Sequence, residues 1–299
     1  MNLKQYLVDR AQQIEEALLS YMPKLPPEVE QLGAAMRYSL FAGGKRLRPI
    51  LALASAEAVG ADPRAAMPAA CAIEFIHTYS LIHDDLPAMD DDDWRRGQPT
   101  SHKVFGEAQA ILAGDALLTH AFSILATPNN FPSVPAETIL QVVLEIADAA
   151  GPKGMVGGQS ADIKEEGTIQ AQDAPSMLKY IHAHKTGALL TAAVRVGAII
   201  GAANSEQLAS LTTYGQKLVL AFQICDDILD ATGDPELLGK PVKTDAQHQK
   251  LTYVAVYGLQ EAKHAAQRLA TEASEALANF DEAAEPLTAL ACYAIQRKY

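Results

Sequence analysis

Basic residues are scarce in this chain. Lysine and arginine number 24 against 36 aspartates and glutamates, a formal net charge of −12 over 299 residues. Nucleic-acid binding rests on basic patches, so no nucleic-acid partner is expected. An anionic substrate would need a few local cations or a bound metal to reverse the field where it docks. Aromatic residues make up only 6%, and no long alternating Val/Ile/Thr run occurs, so β-sheet has little support. Three cysteines, Cys71, Cys225 and Cys292, lack metal-type spacing. An odd, scattered set reads as reduced thiols and a cytoplasmic location. The N-terminal stretch is amphipathic and acidic and has no signal-peptide apolar region. No uncharged run of about 18 apolar residues appears, so no membrane span is expected. Linkers, low-complexity tracts and 20–50-residue repeats are also missing. Length alone would allow roughly two domains; without a linker, the expectation is one domain over residues 1–299.

Helical periodicity is what fills the chain. Helices are expected near 3–20, 28–41, 47–59, 65–86, 104–126, 136–150, 173–200, 205–231, 250–278 and 285–297. The fold class is therefore all-α, a single large helical bundle. Asn204-Ser205 reads as the N-cap of the helix over 205–231, which is apolar on most sides and expected at the centre.

Two acidic clusters each follow a long apolar helical run. The first is Asp84-Asp85-Leu86-Pro87-Ala88-Met89-Asp90, continuing through Asp93; the second is Asp226-Asp227-Ile228-Leu229-Asp230. Pro87 ends the first helix, because the residue before a proline is pushed out of the helical region. The bend swings Asp90 back toward Asp84. Asp226 and Asp230 share one helix face. Either cluster alone reads as a solvated acidic end. The pair favours a hard divalent cation with oxygen ligands, and Mg²⁺ suits carboxylates plus substrate phosphates.

Cations gather in three places. Gly43-Gly44-Lys45-Arg46-Leu47-Arg48-Pro49 is either a phosphate cradle or a helix C-cap with surface basics. Arg95 and Arg96 either neutralise the six aspartates before them or grip phosphate oxygens. His182-Ala183-His184-Lys185-Thr186-Gly187 offers one cation and one hydroxyl near a small-residue helix. His77 and Gln223, in apolar runs one or two turns before their clusters, read by default as satisfied core residues. Lys240 and Lys250 lie in the loop over 231–250, long enough to act as a lid.

GGKRLRP, SLIHDDLPAMDDDDWRRG, HKTGAL and FQICDDILD, followed by a Gly-Lys pair, together resemble the trans-isoprenyl diphosphate synthases, most of all the bacterial farnesyl type. The resemblance runs from about residue 30 to the C-terminus. It implies a bundle around a deep central cavity, usually a homodimer, that joins isopentenyl diphosphate to allylic diphosphates. It implies Asp84, Asp90 and Asp226 as Mg²⁺ ligands for about three ions, Mn²⁺ being an alternative, with Asp85, Asp227 and Asp230 completing the motifs. Lys45, Arg48, His77 and Arg96 match the isopentenyl diphosphate site. Arg95, Lys185 and Lys240 match allylic diphosphate contacts, with Lys250 in the same loop. Thr186 and Gln223 match dipoles beside a developing carbocation. Tyr79, about 7.5 Å below Asp84 along its helix, with Ser80 beside it, is expected either to form the cavity floor that stops growth at fifteen carbons or to be core packing. Geranyl or geranylgeranyl products remain alternatives. A terpene cyclase needs no second diphosphate site, which Lys45 and Arg48 argue against. A non-catalytic subunit would be expected to lose one aspartate motif, and both are intact.

Overall fold

The computed structural model describes residues 1–165, 173–232 and 251–296. Among these the chain is almost wholly helical: α1 (Leu3–Tyr21), α2 (Glu30–Leu40), α3 (Leu47–Ala58), α4 (Met67–Asp84), α5 (Ser101–Phe105), α6 (Glu107–Ala126), α7 (Ala136–Ala150) and α8 (Met155–Glu165). There follow α9 (Ala174–Ile181), a π-helical turn (His182–Thr186), α10 (Gly187–Ile200), α11 (Ser205–Thr232), α12 (Tyr253–Tyr257), α13 (Leu259–Glu275) and α14 (Glu285–Gln296). A two-residue antiparallel ladder, β1 (Trp94–Arg95) with β2 (Gln98–Pro99), is the strand content of the described residues. Lys240 and Lys250 lie outside those residues.

Helix ends follow from local chemistry. α4 has a proline in its first turn, where the missing N–H costs nothing, and it stops at Asp84 ahead of Pro87. At the start of α11, Asn204 Oδ1 accepts from the Gln207 N–H at 2.9 Å, and Gln207 Oε1 accepts from the Asn204 N–H at 3.0 Å. This reciprocal capping satisfies two orphan donors.

Four expectations needed correction. The runs over 104–126 and 250–278 are each cut in two, at Gly106 (φ 85°) and Gly258 (φ 81°), where only glycine takes the left-handed backbone cheaply. The run over 173–200 is interrupted by the π-turn, and α8 and the ladder were not foreseen. The centre belongs to α3, α4 and α10 rather than to α11. In α10, 11 of 14 residues are buried, against 9 of 28 in α11, so α11 covers the core instead of occupying it. α3 packs on α10, α10 on α11, and α4 on α6.

Two helical segments, Pro63–Asp84 and Glu107–Ala126, are long and apolar enough to cross a membrane by length and composition, although the sequence showed no uncharged run. The first is 72% buried inside the protein and the second 39%. α6 and its neighbour α7 leave Ile111, Leu112, Leu140 and Leu144 exposed, Leu140 to 70%. An arginine–carboxylate fork ties the middle of the bundle. Arg195 of α10 donates to both oxygens of Glu145 in α7 at 2.7 and 2.6 Å, and to Thr212 of α11 at 2.7 Å.

Candidate active site

A cavity of about 640 Å³ opens between α4, α6, α8 and the π-turn. Its lining brings together Arg48, His77, Tyr79, Ser80, Asp84, Lys185 and Thr186. These residues come from three separate stretches of the chain, around Arg48, His77–Asp84 and Lys185–Thr186. A second hollow, of about 730 Å³, lies beyond α10. Charges along it are paired within the protein, Lys153 with Asp148, Arg195 with Glu145 and Lys217 with Glu272, and none of the expected site residues reaches it.

The acidic side of the cavity is built at the end of α4. The chain leaves the helix at Asp85 and turns at Pro87, and the Asp90 N–H then bonds the Asp84 carbonyl at 2.9 Å. The two backbones are thereby clasped. Asp91 takes φ 52° to continue the loop. Asp85 is buried, and its carboxylate is gripped by the Arg95 guanidinium, which also reaches Asp92 at 3.3 Å. Burial, partly offset by Arg95, pushes the Asp85 carboxyl up to about 6. Arg95 thus pairs with two of the six aspartates in this structure.

Arg96 goes the other way. Arg96 and Gly97 form the two-residue loop between β1 and β2, with φ 54° and 76°, the sign a tight hairpin demands. The turn sends the Arg96 guanidinium to the Gly43 carbonyl and over Gly44, where a Cβ would stand only 2.8 Å from it. The loop of Lys45 and the hairpin of Arg96 therefore meet, 50 residues apart. Arg48 keeps a buried Nε without a hydrogen-bond partner among the described residues, and so does His77 at Nδ1. Burial lowers the Arg48 guanidinium to about 10, with Glu74 opposing and Arg96 adding to the effect. Burial, reinforced by Arg48, Arg96 and Arg95, holds His77 neutral, well below the usual histidine range. An unpartnered guanidinium N–H and an unpartnered imidazole nitrogen, both buried beside several cations, make a cradle suited to an anion.

The π-turn forms the opposite wall. Lys185 pairs with Asp162 of α8. Thr186 Oγ1 donates to Gln223 Oε1 at 3.2 Å, which ties the wall to α11 one turn before Asp226. Gly158 lets α8 lie on the Lys185 backbone, since any Cβ there would collide with it. Beyond Asp226, Asp227 accepts the Tyr253 N–H at 2.6 Å and stands 3.7 Å from His182 Nε2; Asp230 is buried. Tyr79 is buried, its ring edge-on to His83 at 5.7 Å.

Sequence reasoning missed two groupings. Arg46, read only as one cation of the glycine-rich loop, is buried and bonded to Glu15 and Glu74; nothing local signals partners 31 and 28 residues away. Asp91, Asp93 and His102 bring possible ligand atoms within 4.8 Å of one another, with Lys103 at 2.7 Å from Asp93.

Comparison with known proteins gives a consistent result. The polyprenyl synthetase family model matches residues 29–289. The chain is 50% identical to a farnesyl diphosphate synthase of Geobacillus stearothermophilus, over 88% of this chain and 87% of that one. It is 45% identical to a geranylgeranyl diphosphate synthase of Cyanophora paradoxa, over 99% and 97%. Among solved structures, geranylgeranyl pyrophosphate synthetase from Pyrococcus horikoshii Ot3 superposes with a TM-score of 0.90 at 32% identity, covering 99% of this chain and 100% of that one.

The buried histidines give a pH signature. Burial lowers His182 to about 4 from an ordinary 6.5, and His77 is lowered too. The unfolded chain therefore binds more protons than the folded one as pH falls below about 6.5, and stability is lost through that window. Asp85, raised to about 6, acts with the opposite sign. His182→Gln should flatten the fall in melting temperature between pH 7 and pH 4.5. An unchanged acid slope would count against a buried, neutral His182.

Proposed function

Since the chain belongs to the polyprenyl synthetase family and is a chain-elongating prenyltransferase, we propose that it condenses isopentenyl diphosphate head to tail with dimethylallyl and geranyl diphosphates, giving farnesyl diphosphate. The observation that carries the reading is the shared lining of one apolar cavity by Asp84, Lys185, Thr186, Arg48 and His77. Acidic and basic groups face the same space, as two diphosphates and their counter-ions require.

The family uses Mg²⁺ at an aspartate-rich site. The donor set fits: all-oxygen ligands, with Asp90 clasped to Asp84 by a backbone bond. Asp84, Asp90 and Asp226 would hold the ions, while Asp85 orients Arg95 and Asp227 and Asp230 brace the end of α11. Bound Mg²⁺ supplies positive charge to a leaving diphosphate. Arg95 and Lys185 are assigned to the allylic diphosphate, together with Lys240 and Lys250. Lys45, Arg48, His77 and Arg96 are assigned to isopentenyl diphosphate. Thr186 and Gln223 present oxygen dipoles toward the carbon that becomes electron-poor as the diphosphate departs. The walls of Tyr79, Leu86, Met89 and Ile111 keep water from that carbon. The odd, scattered count of three cysteines supports a cytoplasmic setting.

Purified protein incubated with isopentenyl and dimethylallyl diphosphates should yield a fifteen-carbon product by mass, and EDTA should stop it. Asp84→Ala and Asp226→Ala should each lower the rate about a thousand-fold or more while remaining folded. Near-normal turnover of either variant rejects the aspartate site.

Product length follows from Tyr79. Its buried ring lines the cavity one to two turns below Asp84, where it would block further growth. Relatives that make twenty-carbon products are as similar overall, so the decision rests on this position. Tyr79→Ala should shift the product to twenty carbons or more, at a stability cost of about 2–4 kcal/mol. A folded, active variant still making only fifteen carbons removes Tyr79 as the stop.

The chain is also proposed to pair with a second copy through α6 and α7, whose exposed Ile111, Leu112, Leu140 and Leu144 form the kind of apolar surface that a partner covers. Sedimentation should give a dimer, and Leu144→Glu should shift it toward monomer. A monomeric wild-type protein at micromolar concentration overturns this pairing.

A further inference from the structure

Arg46 sits between Lys45 and Arg48, two of the cations assigned to isopentenyl diphosphate, yet it turns away from them. It takes a left-handed backbone, φ 47° and ψ 35°, uncommon for a residue with a side chain. That conformation sends the guanidinium inward, where its side chain is 0% exposed. Nη1 donates to Glu74 Oε1 at 2.8 Å, Nε to Glu15 Oε1 at 2.7 Å and Nη2 to the Leu40 carbonyl at 2.6 Å. Arg46 therefore links α1, the end of α2 and the middle of α4. Its own carbonyl accepts the Ile50 N–H at 3.0 Å, opening the helical turn that carries Arg48.

Glu74 matters for a second reason. It is 2% exposed and lies one turn before His77 on α4. Its charge acts on Arg48 and on Arg96 as well as on Arg46. A buried carboxylate seeks a cation, and three guanidiniums stand within its field. Only Arg46 bonds it directly. Arg48 keeps a buried Nε without a hydrogen-bond partner among the described residues.

We propose that Arg46 is a positioning residue for the isopentenyl diphosphate subsite, which by holding the Glu74 carboxylate keeps it from capturing Arg48. The inference rests on the reading above that Arg48 receives that diphosphate. Without Arg46, Glu74 would pair with Arg48, and the incoming diphosphate would have to break that pair. The effect falls on one substrate only, because the allylic diphosphate uses other cations. It also vanishes if Glu74 carries no charge, which a purely architectural role would not do.

The test is a two-by-two comparison of wild type, Arg46→Met, Glu74→Gln and the double variant. KM is measured for isopentenyl diphosphate and for geranyl diphosphate. Arg46→Met should raise the first KM about ten-fold or more and leave the second within about two-fold. In the Glu74→Gln background, which leaves no buried carboxylate stranded, Arg46→Met should change the first KM less than about two-fold. Should Arg46→Met fail to fold, Arg46→Gln takes its place in the same square with the same expectations. An equal rise in both KM values, a double variant as impaired as the single one, or a double variant that does not fold overturns the inference. No turnover by wild type with either pair of diphosphates rejects the parent reading and this subsite with it, whereas wild-type turnover with an unmoved KM ratio rejects the inference alone.

Discussion

Crowding of like charges is the constraint on which the site depends. Asp84, Asp85 and Asp90 fall within seven positions, and Arg48, Arg95 and Arg96 all act on the buried His77. Two like unit charges about 6 Å apart repel by about 3 kcal/mol at an effective dielectric constant near 20, so several together strain a protein whose whole margin of stability is about 5–15 kcal/mol. The structure relieves each group partially. Arg95 takes Asp85, Lys185 takes Asp162, and Arg46 takes Glu74. Arg48 keeps a buried Nε without a hydrogen-bond partner among the described residues, and burial leaves His77 uncharged among the arginines.

Rigid elements deliver those groups. α4 and α11 both end in aspartates, the hairpin turn aims Arg96, and the π-turn presents Lys185 and Thr186. Behind them, α3, α4 and α10 form the dry centre, with few side chains free to shift. The bond from Thr186 to Gln223 and the grip of Asp227 on the Tyr253 N–H join wall to wall. The geometry at the mouth is thus inherited from packing far below it.

Much of this was legible because it is local. Pro87 marks the end of α4 in any context, and the Asn204–Gln207 reciprocal cap follows from residue types three apart. The acidic clusters stand out because each closes an apolar run. What escaped was set by contacts remote in sequence. Arg46 looks like one more surface cation until Glu74 is placed beside it. α8 hides in a glycine-rich stretch in which Gly158 is needed for approach to Lys185 rather than for turning. The reading of α11 as central failed for a related reason: its apolar residues are spent on α10 and α13 rather than on a core around all its sides. Gly106 and Gly258 break helices that periodicity alone would continue, since hydrophobic spacing records which face is inward and not whether the backbone is continuous.

The π-turn at His182–Thr186 has one more consequence. A π-turn holds one residue more than an α-turn would, so the chain here carries a length that is fixed independently of its composition. Loss of any single residue between Ile181 and Gly187 would let the segment relax to a continuous α-helix. Because the surplus is contained in that one turn, α9 and α10 would keep nearly the same phase. What would be lost is the bulge itself, and with it the placing of Lys185 and Thr186 at the cavity wall. A one-residue deletion here would leave the bundle standing and displace the side chains of the site.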